Sequence, residues 1–231
     1  MSLKDFLHWN PEIKDPDKIN IGQKIRIPSA AQKESRWMRD VSNLVIQYEG
    51  YHKRTAKVGN EKWFTGGRGH LFDGDTRSRA AFKRAFKAEK TDLTTLNYND
   101  YFTGKKTLTI KQADRLFAED LSDKIKTAIK FTNTKRKKDP KPVFLWKDLS
   151  PTLRQYLVSA TFRGSWTGSP QAAAELRAGN WKKAAREFLD YGQYKKAKKD
   201  PKSKIKGIIP RMDAVSRILA EEESYQKEIK Q

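Results

Sequence analysis

A glycine-rich stretch at residues 51–75 is the feature that most restricts how this chain can fold. Short aromatic and β-branched pieces separate its five glycines, which are Gly59, Gly66, Gly67, Gly69 and Gly74. Glycine destabilises the interior of a helix and favours tight turns. The stretch therefore predicts small irregular hairpins. The run from Trp63 to His70 is not a phosphate-binding loop, because no strand–helix unit of the dinucleotide-binding type surrounds it.

Helical periodicity precedes this stretch and dominates the chain after it. Residues 37–48 carry apolar side chains at helical spacing, and Gly50 stands where a helix C-cap belongs. A longer apolar stripe begins at Leu108, with Thr109 as its expected N-cap, and predicts a helix over residues 108–131. Further helices are expected near residues 149–160, after an Asn180 cap, and from Pro210. Since strands and helices are segregated, the sequence predicts an α+β fold. Its expected parts are a small hairpin-containing lobe (37–107), the connecting helix (108–131) and a mostly helical lobe (132–231).

Basic side chains dominate the charge, with 49 Lys and Arg against 28 Asp and Glu and a net charge of +21. Residues 130–147 and 193–206 concentrate this charge and are expected to form exposed, extended loops. Such a charge attracts anionic cell wall, nucleic acid and acidic membrane surfaces alike, and it does not determine the fold. Nucleic acid is the least favoured partner, because no helix-turn-helix or aromatic–basic sheet motif accompanies the charge.

Several classes of site are excluded or disfavoured by composition. The absence of cysteine excludes disulfides and thiolate metal sites. No apolar run approaches 18 residues, so no membrane span is expected, and no secretory signal follows Met1. The histidines His8, His52 and His70 are scattered, so neither a metal site nor a cofactor is expected.

Residues 1–28 are expected to form a separate segment. Asn10-Pro11 opens a turn, and Ile25 and Ile27 belong to an expected short strand after a turn at Gly22. The residues of this segment resemble the second half of a LysM repeat, a peptidoglycan-binding module; the matching ones are Leu7, Asn10-Pro11, Ile19, Gly22-Gln23, Ile25 and Ile27-Pro28. The resemblance implies a partial LysM-like segment over residues 1–28. The small, polar residues 29–36 predict a linker.

Three segments, taken in chain order, resemble phage-type lysozymes. The first is Tyr48-Glu49-Gly50, followed by the Thr65-Gly-Gly-Arg-Gly-His70 run. The second is residues 108–121, which resemble the long helix between the two lobes of that family. The third is residues 157–164 with residues 176–185, which resemble the segment behind the substrate cleft. The resemblance covers residues 38–220 and implies a lysozyme-like fold. It also implies N-acetylmuramidase activity on the β-1,4 bonds of peptidoglycan.

A glycosidase needs one carboxylic acid to protonate the leaving oxygen and a second group to activate water or stabilise positive charge. By the resemblance, Glu49 is the acid and Thr65 helps to hold the attacking water. The Asp that the family carries shortly before this threonine has no counterpart here. Asp73, which follows the glycine run as in pesticin-like relatives, is the expected replacement. Asp75, Glu61 and the lack of any second carboxylate remain alternatives.

The resemblance also implies supporting residues and a biological setting. Phe162 and Arg163 are expected to bind substrate, and His70 is expected to form an ion pair with Asp120 on the connecting helix. The expected partners are peptidoglycan glycan strands, and other virion proteins if the protein is mounted on a phage particle. The expected location is the host cytoplasm before release, as for an endolysin, or the virion. Because the usual Asp is missing, a catalytically impaired wall-binding or structural virion protein is the alternative.

Overall fold

The structure, a computed structural model, describes residues 7, 9–15, 18, 23–57, 64–72, 76–87, 97–200, 202–203, 205 and 207–229. The chain divides into two compact units, Met1–Asp40 and Val41–Gln231. The helices and strands are numbered below as they occur along the described residues.

The described part of the first unit is organised by Asn10, whose side chain is fully buried. Its amide nitrogen donates to the carbonyl of Arg26 at 3.1 Å, and its side-chain oxygen accepts from the backbone N–H of Arg26 at 2.6 Å. The strand predicted around Ile25 and Ile27 is wrong for residues 23–29, which form no regular structure. Both isoleucines are exposed. A side chain, and not a neighbouring strand, satisfies the backbone at this point, so no sheet ladder forms among these residues.

Helix α1 spans Ala30–Glu49 and is longer than the sequence indicated. The linker predicted over residues 29–36 is therefore wrong, since its residues from Ala30 onward are helical. The reason is a capping box at the start of the helix. Ser29 Oγ accepts from the N–H of Gln32 at 3.2 Å, while the Gln32 side chain accepts from the N–H of Ser29 at 2.8 Å. The helix ends as predicted at Gly50, whose φ is +65°.

The glycine-rich stretch forms a three-stranded antiparallel sheet in the order β1-β2-β3. Its strands are β1 (His52–Lys57), β2 (Phe64–Gly67) and β3 (His70–Phe72). Thr65 pairs with Leu71 across β2 and β3, so their side chains lie on the same face of the sheet. His70 and Phe72 are buried, whereas Leu71 between them is exposed, which is the alternation expected of a strand with one covered face.

Two helices that the sequence analysis did not predict follow the sheet: α2 (Thr76–Lys87) and α3 (Tyr98–Phe102). They complete an aromatic core around the buried Phe72. Its ring meets those of Phe82 and Tyr98 at centroid distances of 6.2 and 5.5 Å. This separate core explains how a small lobe with three short strands remains ordered, because a few strands alone are only marginally stable.

The connecting helix, α4, spans Ile110–Asn133, close to the predicted range. Thr109 is its N-cap, as predicted. Thr109 Oγ1 accepts from the N–H of Gln112 at 3.1 Å, and the Gln112 side chain accepts from the N–H of Thr109 at 3.0 Å.

The rest of the chain is helical. It contains a short 3₁₀ helix (Trp146–Asp148), α5 (Pro151–Phe162), α6 (Pro170–Arg177), α7 (Trp181–Leu189), α8 (Gly192–Lys199) and α9 (Ile208–Glu228). Helix α9 packs against α5, α7 and α8. Asn180 stands at the N-cap position of α7 as predicted, but its side chain donates to Glu175 and does not cap the helix. Strands and helices occupy separate parts of the described chain, so the structure is consistent with the predicted α+β class.

Residues 193–199 were expected to be an extended loop, and that prediction is wrong because they lie in α8. Tyr194 and Ala197, three positions apart, are buried and give the helix one apolar face. The Tyr194 hydroxyl donates to Asp213 of α9 at 2.5 Å. Burial raises the pKa of this phenol, and the hydrogen bond to Asp213 raises it further. Packing and this bond outweigh the repulsion among the lysines of the segment.

The other basic segment, residues 130–147, is anchored by a partly buried ion pair between Arg177 and Asp139, whose side chains are 2% and 9% exposed. Arg177 also donates to the carbonyl of Thr132 at 3.0 Å. Burial would raise the pKa of Asp139. The N–H of Arg136 and the guanidinium of Arg177 outweigh that effect and lower the pKa below its usual value.

A buried carboxylate, Glu222 of α9, supports the start of α5. It accepts from the N–H of Ser150 at 2.7 Å, from the Ser150 hydroxyl and from the Gln226 amide at 2.9 Å.

Among the described residues, no helix is both long and apolar enough to cross a bilayer.

Candidate functional site

A cavity of about 570 Å³ lies where the sheet, the connecting helix and the helical part of the second unit meet. Six of the seven residues that the sequence analysis assigned to the site line it: Glu49, Thr65, His70, Asp120, Phe162 and Arg163. They come from α1, β2, β3, α4 and the end of α5. The volume falls within the usual range of small-molecule sites, about 300–1,000 Å³.

The seventh assigned residue, Asp73, lies outside the described residues, as do its alternatives Asp75 and Glu61. The identity of a second carboxylate therefore stays a prediction.

The carboxylate of Glu49 is tightly constrained. Its Oε1 accepts from Nη2 of Arg211 at 2.7 Å, and the two side chains are 20% and 4% exposed. On its other side lies the backbone of Gly69, where a Cβ would come within 2.9 Å of Glu49 Oε2. Gly69 has a φ of +87°, a conformation that favours glycine. The last glycine of the Thr65–His70 run thus leaves room for the carboxylate, which is held between a cation and the hairpin turn.

Arg211 is the site residue that the sequence analysis missed. Its guanidinium also lies over the ring of Tyr48, 4.6 Å from the centroid. Burial and the neighbouring Tyr156 raise the pKa of the Tyr48 phenol, although Arg211 opposes the shift. One feature of the sequence could have identified Arg211 as the partner of a carboxylate. Arg211 falls on the apolar stripe of α9 beside Met212, and an arginine on a buried helix face normally has a carboxylate partner.

Thr65 borders the same cavity from the sheet. It is half-buried and pairs with Leu71, which also lines the cavity. The helix end that carries Glu49 and the strand that carries Thr65 are thus brought to one cavity.

His70 lies beside Asp120, the residue that the resemblance implied. Its Nδ1 is 2.9 Å from Asp120 Oδ2 and 3.1 Å from Oδ1. The histidine is only 3% exposed. Its Nε2 is 3.3 Å from Ser78 Oγ, which donates to the carbonyl of Leu71 at 2.8 Å and lies 2.9 Å from the Tyr98 hydroxyl. This chain of contacts ties β3 to α2, α3 and α4. A buried polar network that is this well satisfied holds the wall of the cavity in place.

Phe162 and Arg163 end α5 at another wall of the cavity. The Phe162 ring packs on Phe117 of α4 with a centroid distance of 5.7 Å. The ammonium group of Lys124 lies 5.9 Å from the Phe162 ring centroid. An apolar ring flanked by cations is suited to the ring face of a sugar that carries acidic substituents.

In the described part of the chain, no three His, Asp or Glu side chains cluster as metal ligands would. What the arrangement offers is a carboxyl group, a hydroxyl and cationic side chains around one cavity.

Comparison with protein-family models gives a match at the N-terminus. The family model described as LysM domain matches residues 1–28, the same range that the sequence analysis assigned to a LysM-like segment. The LysM domain binds peptidoglycan, so the match supports a role at the cell wall. A search of curated proteins found none similar to this chain.

Proposed function

We propose that this chain is a peptidoglycan glycosidase of the phage-type lysozyme class that cleaves the β-1,4 bond after N-acetylmuramic acid. The observation that carries the proposal is that Glu49, held by Arg211, and Thr65 border one cavity of sugar-binding size. The LysM match at residues 1–28 supports the coarser conclusion of a cell-wall role.

In this proposal Glu49 donates its proton to the glycosidic oxygen as the C1–O bond breaks. Thr65 helps to hold the water that adds to C1. The proton released by that water passes to a second carboxylate, for which Asp73 is the candidate. Arg211 is a positioning residue, because its hydrogen bond fixes the direction of the Glu49 carboxylate before substrate binds.

The direct test compares the wild type with Glu49→Gln on purified peptidoglycan. The wild type should clear the suspension and release new reducing ends, while Glu49→Gln should be at least about 100-fold slower. Glu221→Gln is the matched control, because Glu221 lies on α9 with its side chain 57% exposed and does not line the cavity. Equal clearing by the wild type and Glu49→Gln would contradict the proposal. Release of new amino groups in place of reducing ends would assign a different bond.

A wall-binding protein without catalysis is the second candidate, and the LysM match favours it equally. Co-sedimentation of the wild type with peptidoglycan, without any release of reducing ends, would select this function over the glycosidase.

A further inference from the structure

One face of α4 is directed at the cavity and carries charge. Asp120, Asp123, Lys124 and Thr127 all line the cavity. They recur at the spacing of residues that share one side of a helix. This face includes a lysine, Lys124, that the glycosidase chemistry does not use.

Each described carboxylate of the cavity wall already has a basic side chain beside it. Glu49 pairs with Arg211 at 2.7 Å, and Asp120 lies 2.9 Å from His70. Asp123, which is 61% exposed, has the ammonium group of Lys126 at 3.8 Å.

Lys124 differs from these groups. It is half-buried, and its ammonium group approaches the ring of Phe162 at 5.9 Å. None of the carboxylates within the described ranges of the chain forms an ion pair with it. An ammonium group that lines a cavity and forms no ion pair with the described carboxylates is an available site for an anion.

We propose that Lys124 binds a carboxylate of the peptidoglycan while the adjoining sugar lies against Phe162, so that this residue selects acid-bearing glycan. The inference rests on the proposed function, because it assumes that peptidoglycan occupies this cavity. Carboxylates occur in peptidoglycan on the stem peptides. After the stems are removed, a carboxylate is also exposed on the lactyl group of N-acetylmuramic acid. Uncharged glycans such as chitin offer none.

The test is a binding measurement in the Glu49→Gln background, so that the wall is not cut during the assay. Lys124→Gln is compared with Lys130→Gln, which removes the same charge from the same helix at an exposed position outside the cavity. Each variant is sedimented with native peptidoglycan and with peptidoglycan whose carboxyl groups have been amidated with carbodiimide and ammonia. Lys124→Gln should bind native wall about tenfold more weakly than Lys130→Gln, as expected for the loss of a charged hydrogen bond. The two variants should bind amidated wall equally.

Two results would overturn the inference. One is equal binding of both variants to native wall, and the other is a Lys124 effect that persists on amidated wall. A third substrate, wall stripped of its stems by an amidase, identifies the source of the carboxylate. If Lys124→Gln no longer weakens binding to the stripped wall, the carboxylate belongs to the stem peptide. If the weakening persists, the carboxylate belongs to the lactyl group. Because binding is measured without catalysis, failure here is distinct from a failure of the clearing assay.

Discussion

Gly69 stands where any side chain would collide with the carboxylate of Glu49, which makes Gly69→Ala an informative perturbation. A Cβ there would lie 2.9 Å from Glu49 Oε2 and 3.2 Å from its Cδ. Because ordinary carbon–oxygen contacts begin near 3.3–3.6 Å, the carboxylate must retreat by about half an ångström. Alanine at a φ of +87° also costs about 1–2 kcal/mol of folding free energy.

Gly104→Ala separates these two effects. Gly104 has a φ of +73°, and a Cβ there would meet only ordinary contacts at 3.5 Å. The Gly104→Ala variant should therefore have a free energy of unfolding in urea about 1–2 kcal/mol lower than the wild type, and it should retain full activity. In Gly69→Ala the free energy of unfolding should fall by a comparable or larger amount, because the Glu49–Arg211 pair is also disturbed. Since a misplacement of 1 Å can cost about 100-fold in rate, a shift of half that size predicts roughly a tenfold slower clearing of peptidoglycan.

If Gly69→Ala and Gly104→Ala clear peptidoglycan equally fast, the claim that a Cβ at position 69 displaces the Glu49 carboxylate from its working position is refuted. It would then follow that the carboxylate adjusts freely and that the glycine serves the hairpin turn alone. If both variants lose activity to the same degree as they lose stability, the effect belongs to folding and not to the position of Glu49.

Four further predictions concern the framework of the fold. Glu222→Ala should destabilise the protein by about 1–3 kcal/mol, because it leaves the buried N–H and hydroxyl of Ser150 without acceptors; a chemical denaturation midpoint unchanged from wild type would disprove this. Arg177→Ala should cost about 1–3 kcal/mol, because it removes the partner of Asp139 and the donor to the Thr132 carbonyl, as measured in the same assay. Because the pKa of Asp139 is lower in the folded state, this carboxylate stabilises the fold above about pH 4, near its unfolded pKa. That contribution disappears as the pH falls through the folded value. Asp139→Asn should therefore show a shallower loss of stability on acidification, and a slope equal to that of the wild type would count against the pair. His70→Gln should lower the melting temperature by several degrees, because a ΔΔG of 1 kcal/mol shifts a domain of this size by about 2–4 °C; an unshifted transition in calorimetry would show that the buried network contributes little.

Local patterns were sufficient for much of the secondary structure. Thr109 and Gln112 specify the start of α4 through a capping box, and Gly50 specifies the end of α1, because both signals act within a few residues. The same kind of signal at Ser29 and Gln32 shows that the first turns of α1 were predictable as well. The linker predicted over residues 29–36 was wrong because the capping box starts a helix there, although the residues are small and polar.

Helix α8 was not predictable in the same way. Its lysines favour a solvated, extended segment, and the helix depends on burial of Tyr194 and Ala197 and on the bond from Tyr194 to Asp213. These contacts join segments that only meet after the chain has packed.

The sequence alone predicted the α+β class, the glycine-rich hairpins and the long helix, because residue type and spacing encode each of them. Its resemblance to phage-type lysozymes singled out Glu49 and Thr65 as candidates. Only the tertiary structure decided that Arg211, 162 positions further along, holds the Glu49 carboxylate, that Gly69 leaves room for it and that Lys124 faces the same cavity. The physical reason is that charge pairing and close approach depend on distances in space, which helical and strand periodicity do not encode.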